Sequence, residues 1–251
     1  MIELIKNREE FDKFRAILPP LPEGHAYLLS LSARNKYLDE DERKFYSLGK
    51  TEMFGRTLVK DLDDFDFFVR KLASHLEYKK TRSGHPFPEK AMVVYMMINP
   101  TDMVSAYCTF QDRMNGFLQQ MFRALGNSKN PNLREVVHMD HHLLTSIGKA
   151  ARKRDFIDLD LDSKDPEILA SILKGFEGYE SHVVSTHGGF HILIPKNQKP
   201  FPPAHQIIKQ VLADNPELKE LCFNKNAMVP LPGTLQAGTL VTIDPHQPKE
   251  S

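Results

Sequence analysis

Apolar residues along this chain follow two rhythms. In "DLDDFDFFVRKLASHLEY", Leu62, Phe65, Val69, Leu72 and Leu76 recur every three or four residues and predict a helix with one buried face. The longest such pattern is Met103, Tyr107, Phe110, Met114, Phe117, Met121 and Leu125, which predicts a core-facing helix ended by "GNSKNPN". "NREEFDKFRAIL" predicts a short amphipathic helix stopped by Pro19 and Pro20. "REVVHMDHHLLTSIGKAAR" and "PAHQIIKQVLADNPELKEL" are also helical, and Asp165 and Pro166 supply the N-cap and first-turn residue for "PEILASILKGF".

The second rhythm is that of strands. "HAYLLSLSARNKYL" and "AMVVYMMINP" predict strands, the second ended by Pro100, with "KKTRSGHPFPE" as a loop between helix and strand. "FIDLDLD", "SHVVSTHGGFHILIP" and "AMVPLPGTLQAGTLVTIDP" predict a strand, a strand-turn-strand unit and terminal strands with a turn. From Phe156 onward strands and helices alternate around one tight hairpin, an α+β or split βαβ pattern. A soft subdivision near residues 127–132 would separate an N-terminal part from a C-terminal catalytic part.

Composition changes this picture little. The chain has 251 residues, 41% hydrophobic and 26% charged, which is ordinary for a globular protein with a real core. The formal net charge is zero, so no chain-wide basic field is available and any nucleic-acid track must be local. Arg34, Lys36, Lys79, Lys80 and Arg82 are the candidates for it. Two cysteines, Cys108 and Cys222, give neither a disulfide framework nor a cysteine zinc site. The charged N-terminus is unlike a signal peptide and "AMVVYMMI" is too short to span a bilayer, so a cytoplasmic protein without membrane contact is expected.

Three stretches carry candidate chemistry. "LGKT" at Leu48–Thr51 lacks the glycine a phosphate loop needs five residues earlier, where Lys44 stands, and is set aside. "HMDHH" places His138 and His142 on one helical face, a metal pair without a second cluster to complete it. In "DLDLD", residues two apart on a strand share a face. Asp158, Asp160 and Asp162 then form a row of carboxylates, and Ile157, Leu159 and Leu161 face the core. Hard divalent cations take such oxygens, whereas a solvated, aggregation-resistant strand would carry the same row without metal. In "VVSTHGGFHILIP", Gly188 and Gly189 permit a positive φ and close approach of a ligand to the backbone. Ser185 and Thr186 offer hydroxyls, the turn amides can cradle a phosphate, and His187 and His191 can donate to phosphate oxygens; a plain hairpin with histidines at its mouth has the same pattern.

"FIDLDLD" followed some twenty residues later by "STHGGFHILI" resembles the archaeo-eukaryotic primase, or primase-polymerase, superfamily. The Asp-x-Asp of that family's first motif is matched by Asp158 and Asp160. Its Ser-x-x-x-Gly-x-His is matched by Ser185, Gly189 and His191, and "VPLPGTLQAG" resembles the "PGT" segment of many members. The resemblance spans roughly Met92 to Asp244. It implies an RRM-like catalytic palm carrying an additional N-terminal α/β part. It also implies Mg²⁺ or Mn²⁺ on Asp158 and Asp160, and the incoming triphosphate on Ser185, His187, Gly189 and His191. The third metal ligand falls to Asp244 in "TID", with Asp214, Asn224 and Asn226 as the other candidates. Lys225 takes the place of an arginine that relatives carry before "PGT", where Val229 and Leu231 stand here.

The function so implied is template-dependent nucleotidyl transfer, either primer synthesis or DNA polymerisation. The expected partners are nucleoside triphosphates, a DNA template and primer, and a helicase or other replication protein. Two alternatives stand beside it. One is a nucleotide- or nucleic-acid-binding subunit without catalysis. The other is a metal-dependent phosphohydrolase or nuclease that combines "HMDHH" with the aspartate row.

Overall fold

The computed structural model describes residues 3–74, 76, 79–126, 139–150, 154–200, 203–214, 221–223 and 228–246. In chain order these contain α1 (Arg8–Ile17), β1 (His25–Arg34), α2 (Glu40–Tyr46), β2 (Thr51–Val59), α3 (Phe65–Ser74), β3 (Met92–Met97), β4 (Thr101–Asp102), α4 (Met103–Gly126) and α5 (Met139–Lys149). There follow β5 (Phe156–Leu161), α6 (Pro166–Gly175), β6 (Ser181–Ser185), β7 (Phe190–Pro195), α7 (Ala204–Asp214) and β8 (Leu221–Phe223). The chain continues through β9 (Met228–Pro230), β10 (Leu235–Gln236), β11 (Thr239–Leu240) and β12 (Thr242–His246). The expected α+β class is observed. The expected boundary at residues 127–132 lies outside the described residues.

Two antiparallel sheets organise the chain. The first has the order β2-β1-β3-β9, with β4 also paired to β1. Its central strand β1 is buried along nearly its whole length because it is covered on both faces. Leu29 and Leu31 enter the main core with Phe11 and Phe14 of α1 and Phe65, Val69 and Leu72 of α3. Leu28 points the other way, onto Ala106 of α4 and Ile147 of α5. The second sheet has the order β12-β6-β7-β5-β8. Its segment β5-α6-β6-β7-α7-β8 is a βαββαβ unit in which the fourth strand lies beside the first, the first beside the third and the third beside the second.

Strand alternation divides the second sheet cleanly. Leu159, Leu161, Ile192 and Ile194 pack against Ile172 and Phe176 at α6 and Ala204, Ile208 and Val211 of α7. The opposite face sends Phe156, Val184, Leu193 and Ile243 into the core of the first sheet, so one apolar cluster joins the two sheets. Asn99, buried after β3, locks them at a defined point. Its side-chain Nδ2 donates to Phe156 O at 3.1 Å and its Oδ1 accepts from Phe156 N at 2.9 Å. This amide stands in for a neighbouring strand at the first residue of β5.

The N-terminal helix is fastened to the end of the chain. Lys6 and Asn7 donate their backbone N–H groups to Gly233 O, at 2.7 and 3.0 Å. Gly233 has φ +82° and a side chain there would meet Asn7 O and Phe11, so both conformation and space require glycine. Glu10 accepts the N–H of Ile243 at 2.6 Å and so covers part of the open edge of β12.

One helix differs from expectation. On α4, Ala106 is fully buried, yet Tyr107 is exposed and Phe110, Met114, Phe117 and Met121 are only partly covered. Among the described residues its packing partners are chiefly α5 and the two-residue β4, too little surface to cover an apolar stripe of that length. Leu125 falls among the side chains left undescribed.

Candidate active site on the central strand

The acidic row sits on β5 as period-two alternation requires. Asp158 and Asp160 share the face of Phe156, while Leu159 and Leu161 lie on the helix side. On the adjacent β7, Asp160 is in register with His191 and Asp158 with Leu193. The imidazole therefore rises between the two carboxylates: Nδ1 is 3.1 Å from Asp158 Oδ1 and Nε2 is 3.6 Å from Asp160 Oδ1. The Asp158 side chain is fully enclosed, at 0% exposure, whereas that of Asp160 is 35% exposed. The two aspartates are thus unequal. Asp158 holds His191, and Asp160 meets the solvent.

Charge follows that geometry. Burial disfavours the imidazolium of His191, but the hydrogen bond that its Nδ1–H donates to Asp158 and the fields of Asp158, Asp160 and Asp162 outweigh it, so its pKa is raised. Asp160 is also raised, mainly by burial; His191 opposes this, Asp162 and Asp158 add to it, and Lys36 opposes it more weakly. A carboxylate that pays to be charged beside two others is one that a cation would relieve.

The hairpin after β6 abuts the end of β5. A Cβ built on Gly189 would fall on the Leu161 carbonyl oxygen, with Ser163 N at 2.9 Å. Gly189 is glycine because the hairpin and β5 touch backbone to backbone. Neither Gly188 nor Gly189 takes a left-handed φ, contrary to the role expected for them. The turn amides are also largely engaged. Gly189 N–H donates to Thr186 Oγ1 at 3.2 Å, and His187 N–H donates to Gln236 Oε1 at 2.9 Å. Only the turn's side chains, and the open space at Gly188, face outward.

His187 is exposed in the turn between β6 and β7, at the edge of the aspartate–histidine cluster. Its Nδ1 is 3.1 Å from Thr239 Oγ1, and its ring meets Tyr37 edge-on at 5.8 Å. Its pKa is lowered, first by burial and then by the positive fields of Lys164 and Lys36. Lys36, just beyond β1, therefore lies near both Asp160 and His187. A polar chain backs this edge: Arg34 donates to Tyr95, Tyr95 and Tyr37 hydroxyls lie 3.5 Å apart, and Gln236 Nε2 donates to Tyr37 at 2.7 Å. It ties the first sheet, the β10–β11 hairpin and the turn at His187 into one rim.

Several expected residues are not brought to this cluster. Asp244 is in register with Val183, which is itself opposite Ile192, so it belongs to the helix-facing row. It also lies three strands from β5, roughly 14 Å. Asp214 closes α7 on that same helix side and accepts from Gln210. Ser185 is in register with Phe190, one row off from His191, which is opposite Val184. Val229 and Leu231 are fully buried core residues, leaving no place for an arginine before "PGT". On the far side of β5, Cys222 of β8 is in register with Asp160. Lys225, Asn224, Asn226 and His138 lie outside the described residues. His142 is buried on α5 with its ring 6.0 Å from Phe117 of α4, a packing role.

Among the described residues no group of three or more histidine, cysteine, aspartate or glutamate side chains is disposed to hold a metal ion. The donors present, Asp160 with the nearby Asp162, are hard oxygen ligands of the kind Mg²⁺ and Mn²⁺ accept alongside water and substrate phosphates. No family model, no curated protein and no solved structure matches the chain. Among the described residues no helix is long and apolar enough to cross a membrane.

Six contributors were not singled out as site residues from the sequence: Tyr37, Tyr95, Asn99, Lys164, Gln236 and Thr239. Asn99 was hidden inside a strand-plus-proline pattern. Lys164 lies two residues past the aspartate row, close enough for its charge to act on His187.

Proposed function

We infer that the cleft over β5 is a nucleotidyl-transfer site of the primase-polymerase kind, built on an RRM-like palm. The observation that carries this is the placement of Asp158, Asp160 and His191 on one face of adjacent central strands, at the end where Lys36, Lys164 and His187 gather. The βαββαβ order of the sheet supports the palm. Carboxylates at the floor and cations at the rim suit a substrate that is a metal-bound polyphosphate.

The residues divide the work. A divalent cation bound there would supply Lewis acidity at the phosphorus and lower the pKa of an attacking hydroxyl. Asp160, with Asp162, offers the oxygen ligands. Asp158 fixes the His191 ring so that Nε2 faces Asp160. Lys36, Lys164 and the protonated His191 would balance the negative charge of the triphosphate, and the neutral His187 could donate a hydrogen bond to it. Extension of a labelled primer on a template, with Mg²⁺ or Mn²⁺ and with dNTPs and NTPs compared, tests the proposal. Activity lost in Asp160→Asn supports it.

A second reading has its own support. No third carboxylate from a neighbouring strand enters the cleft among the described residues, and Asp158 is committed to His191. A protein so built would bind nucleotides or nucleic acid without catalysis. Nucleotide binding without extension under either metal would favour it.

A further inference from the structure

Outside the cleft, three aromatic rings gather on the surface. Phe45, at the C-terminal end of α2, is 55% exposed. It stacks on the exposed His85 ring with centroids 4.3 Å apart and planes inclined by 22°. Tyr46 meets Phe45 edge-on at 4.9 Å and anchors the pair to the core. Exposed stacked rings bury little apolar area for the protein itself, so their arrangement needs another explanation.

The loop that presents His85 is closely hydrogen-bonded. Thr81 N–H donates to His85 O at 2.8 Å, Gly84 N–H to Thr81 O at 2.9 Å, and His85 N–H to Thr81 Oγ1 at 3.1 Å. Lys80 and Pro86 form a β-bridge at its base, and Gly84 takes the left-handed φ of +84° that closes it. The loop leaves Lys80 and Arg82 exposed beside the rings. Below, Lys79 Nζ donates to Phe54 O at 2.6 Å.

Lys50 lies between this patch and the turn before α2. Asn35 N–H donates to Lys50 O at 3.4 Å, and Arg43 Nε donates to Asn35 O and Leu38 O, both at 2.8 Å. These bonds tie α2 and Lys50 to the turn carrying Lys36, which lies near Asp160 and His187. The separation along α2 is roughly 10 Å. The acids of α2, Glu40, Asp41 and Glu42, sit at its N-terminal end, beside the turn carrying Lys36 and away from the rings; there Glu40 pairs with Lys44 and Glu42 with Lys90.

We propose that the Phe45–His85 pair, with Lys50, Lys80 and Arg82, is a binding platform for single-stranded nucleic acid. Bases stack on the rings and the phosphates lie on the cations. Rigid aromatic faces interleaved with cations are what unpaired bases and their backbone require. Binding itself is independent of the nucleotidyl-transfer proposal.

The test is fluorescence anisotropy of a labelled oligothymidylate of about 20 nucleotides, with a duplex of equal length as competitor. The native protein should prefer the single strand. Phe45→Ala with His85→Ala should weaken binding about tenfold or more with the salt dependence kept. Lys80→Glu with Arg82→Glu should instead flatten the slope against salt by about 1.4. Circular dichroism and melting must match the native protein, and Phe45→Leu serves as the milder variant if the double change does not fold. Single-strand binding unchanged within about twofold in the ring variants would overturn the proposal while leaving nucleotidyl transfer standing. No binding of oligonucleotide at low salt would overturn it in favour of a protein partner. Ring-dependent binding by a protein that extends no primer would uphold the platform and count against the proposed reaction.

Discussion

Asn99→Ala removes the two hydrogen bonds that hold the first residue of β5. Phe156 N–H and C=O, both bonded at about 3 Å by the Asn99 amide, would be left buried without partners. Each such group costs about 1–3 kcal/mol, and partial relaxation should leave a net loss of ~3 kcal/mol. For a chain of this size that corresponds to a melting temperature lower by roughly 6–12 °C. Asn99→Asp should be no better, because one carboxylate oxygen would face the Phe156 carbonyl and carry buried charge. Urea unfolding of the three proteins measures the difference. If Asn99→Ala unfolds within about 0.5 kcal/mol of the native protein, as a bland surface change would, the amide does not lock the sheets.

Further outcomes follow from the same geometry. Gly233→Ala should destabilise by more than about 3 kcal/mol, through a left-handed φ and contact with Phe11, and show as loss of soluble protein or a lower urea midpoint. The raised pKa of His191 means the folded state holds its proton more tightly than the unfolded chain. That stabilisation is complete below about pH 6.5 and is lost as pH rises through the higher folded value. Metal-free protein should therefore lose stability toward mildly alkaline pH, and His191→Gln should remove that step in urea titrations. Asp244→Ala should leave metal-dependent primer extension unchanged, because its carboxylate belongs to the other face of the sheet; complete loss would return Asp244 to the site.

Much of the fold was legible because its signals are local. Period two in "FIDLDLD", the Asp165–Pro166 start of α6 and the hairpin between Val184 and Phe190 all appear where the residues predict. α2 and β2 were not foreseen. α2 is a polar seven-residue helix whose evidence is the Asp39–Glu42 capping box, and β2 is an edge strand in which Glu52 and Arg56 blur the alternation. The candidate site was legible as far as its row of aspartates and its histidine. That His191 stands between them depends on the register of β7, which no local pattern gives. The same holds for Asp244, whose strand was expected but whose face is fixed by pairing with β6. Gly189 and Gly233 illustrate the point from the other side. Each was linked to ligand approach or to a motif, and each is explained by a backbone or helix packed against it. Like charges along the row repel one another, but with His191 inserted Asp158 is held by a favourable partner.

The central claim is that Asp160 and its neighbours form a metal-nucleotide site. The direct measurement is binding of Mn²⁺ followed by electron paramagnetic resonance of the free ion, with and without a deoxynucleoside triphosphate. Native protein should take up Mn²⁺, more tightly with the triphosphate present, and Asp160→Asn should lose most of that uptake while remaining folded. Equal uptake by native and Asp160→Asn protein, or none by native protein at millimolar Mn²⁺, would contradict the account.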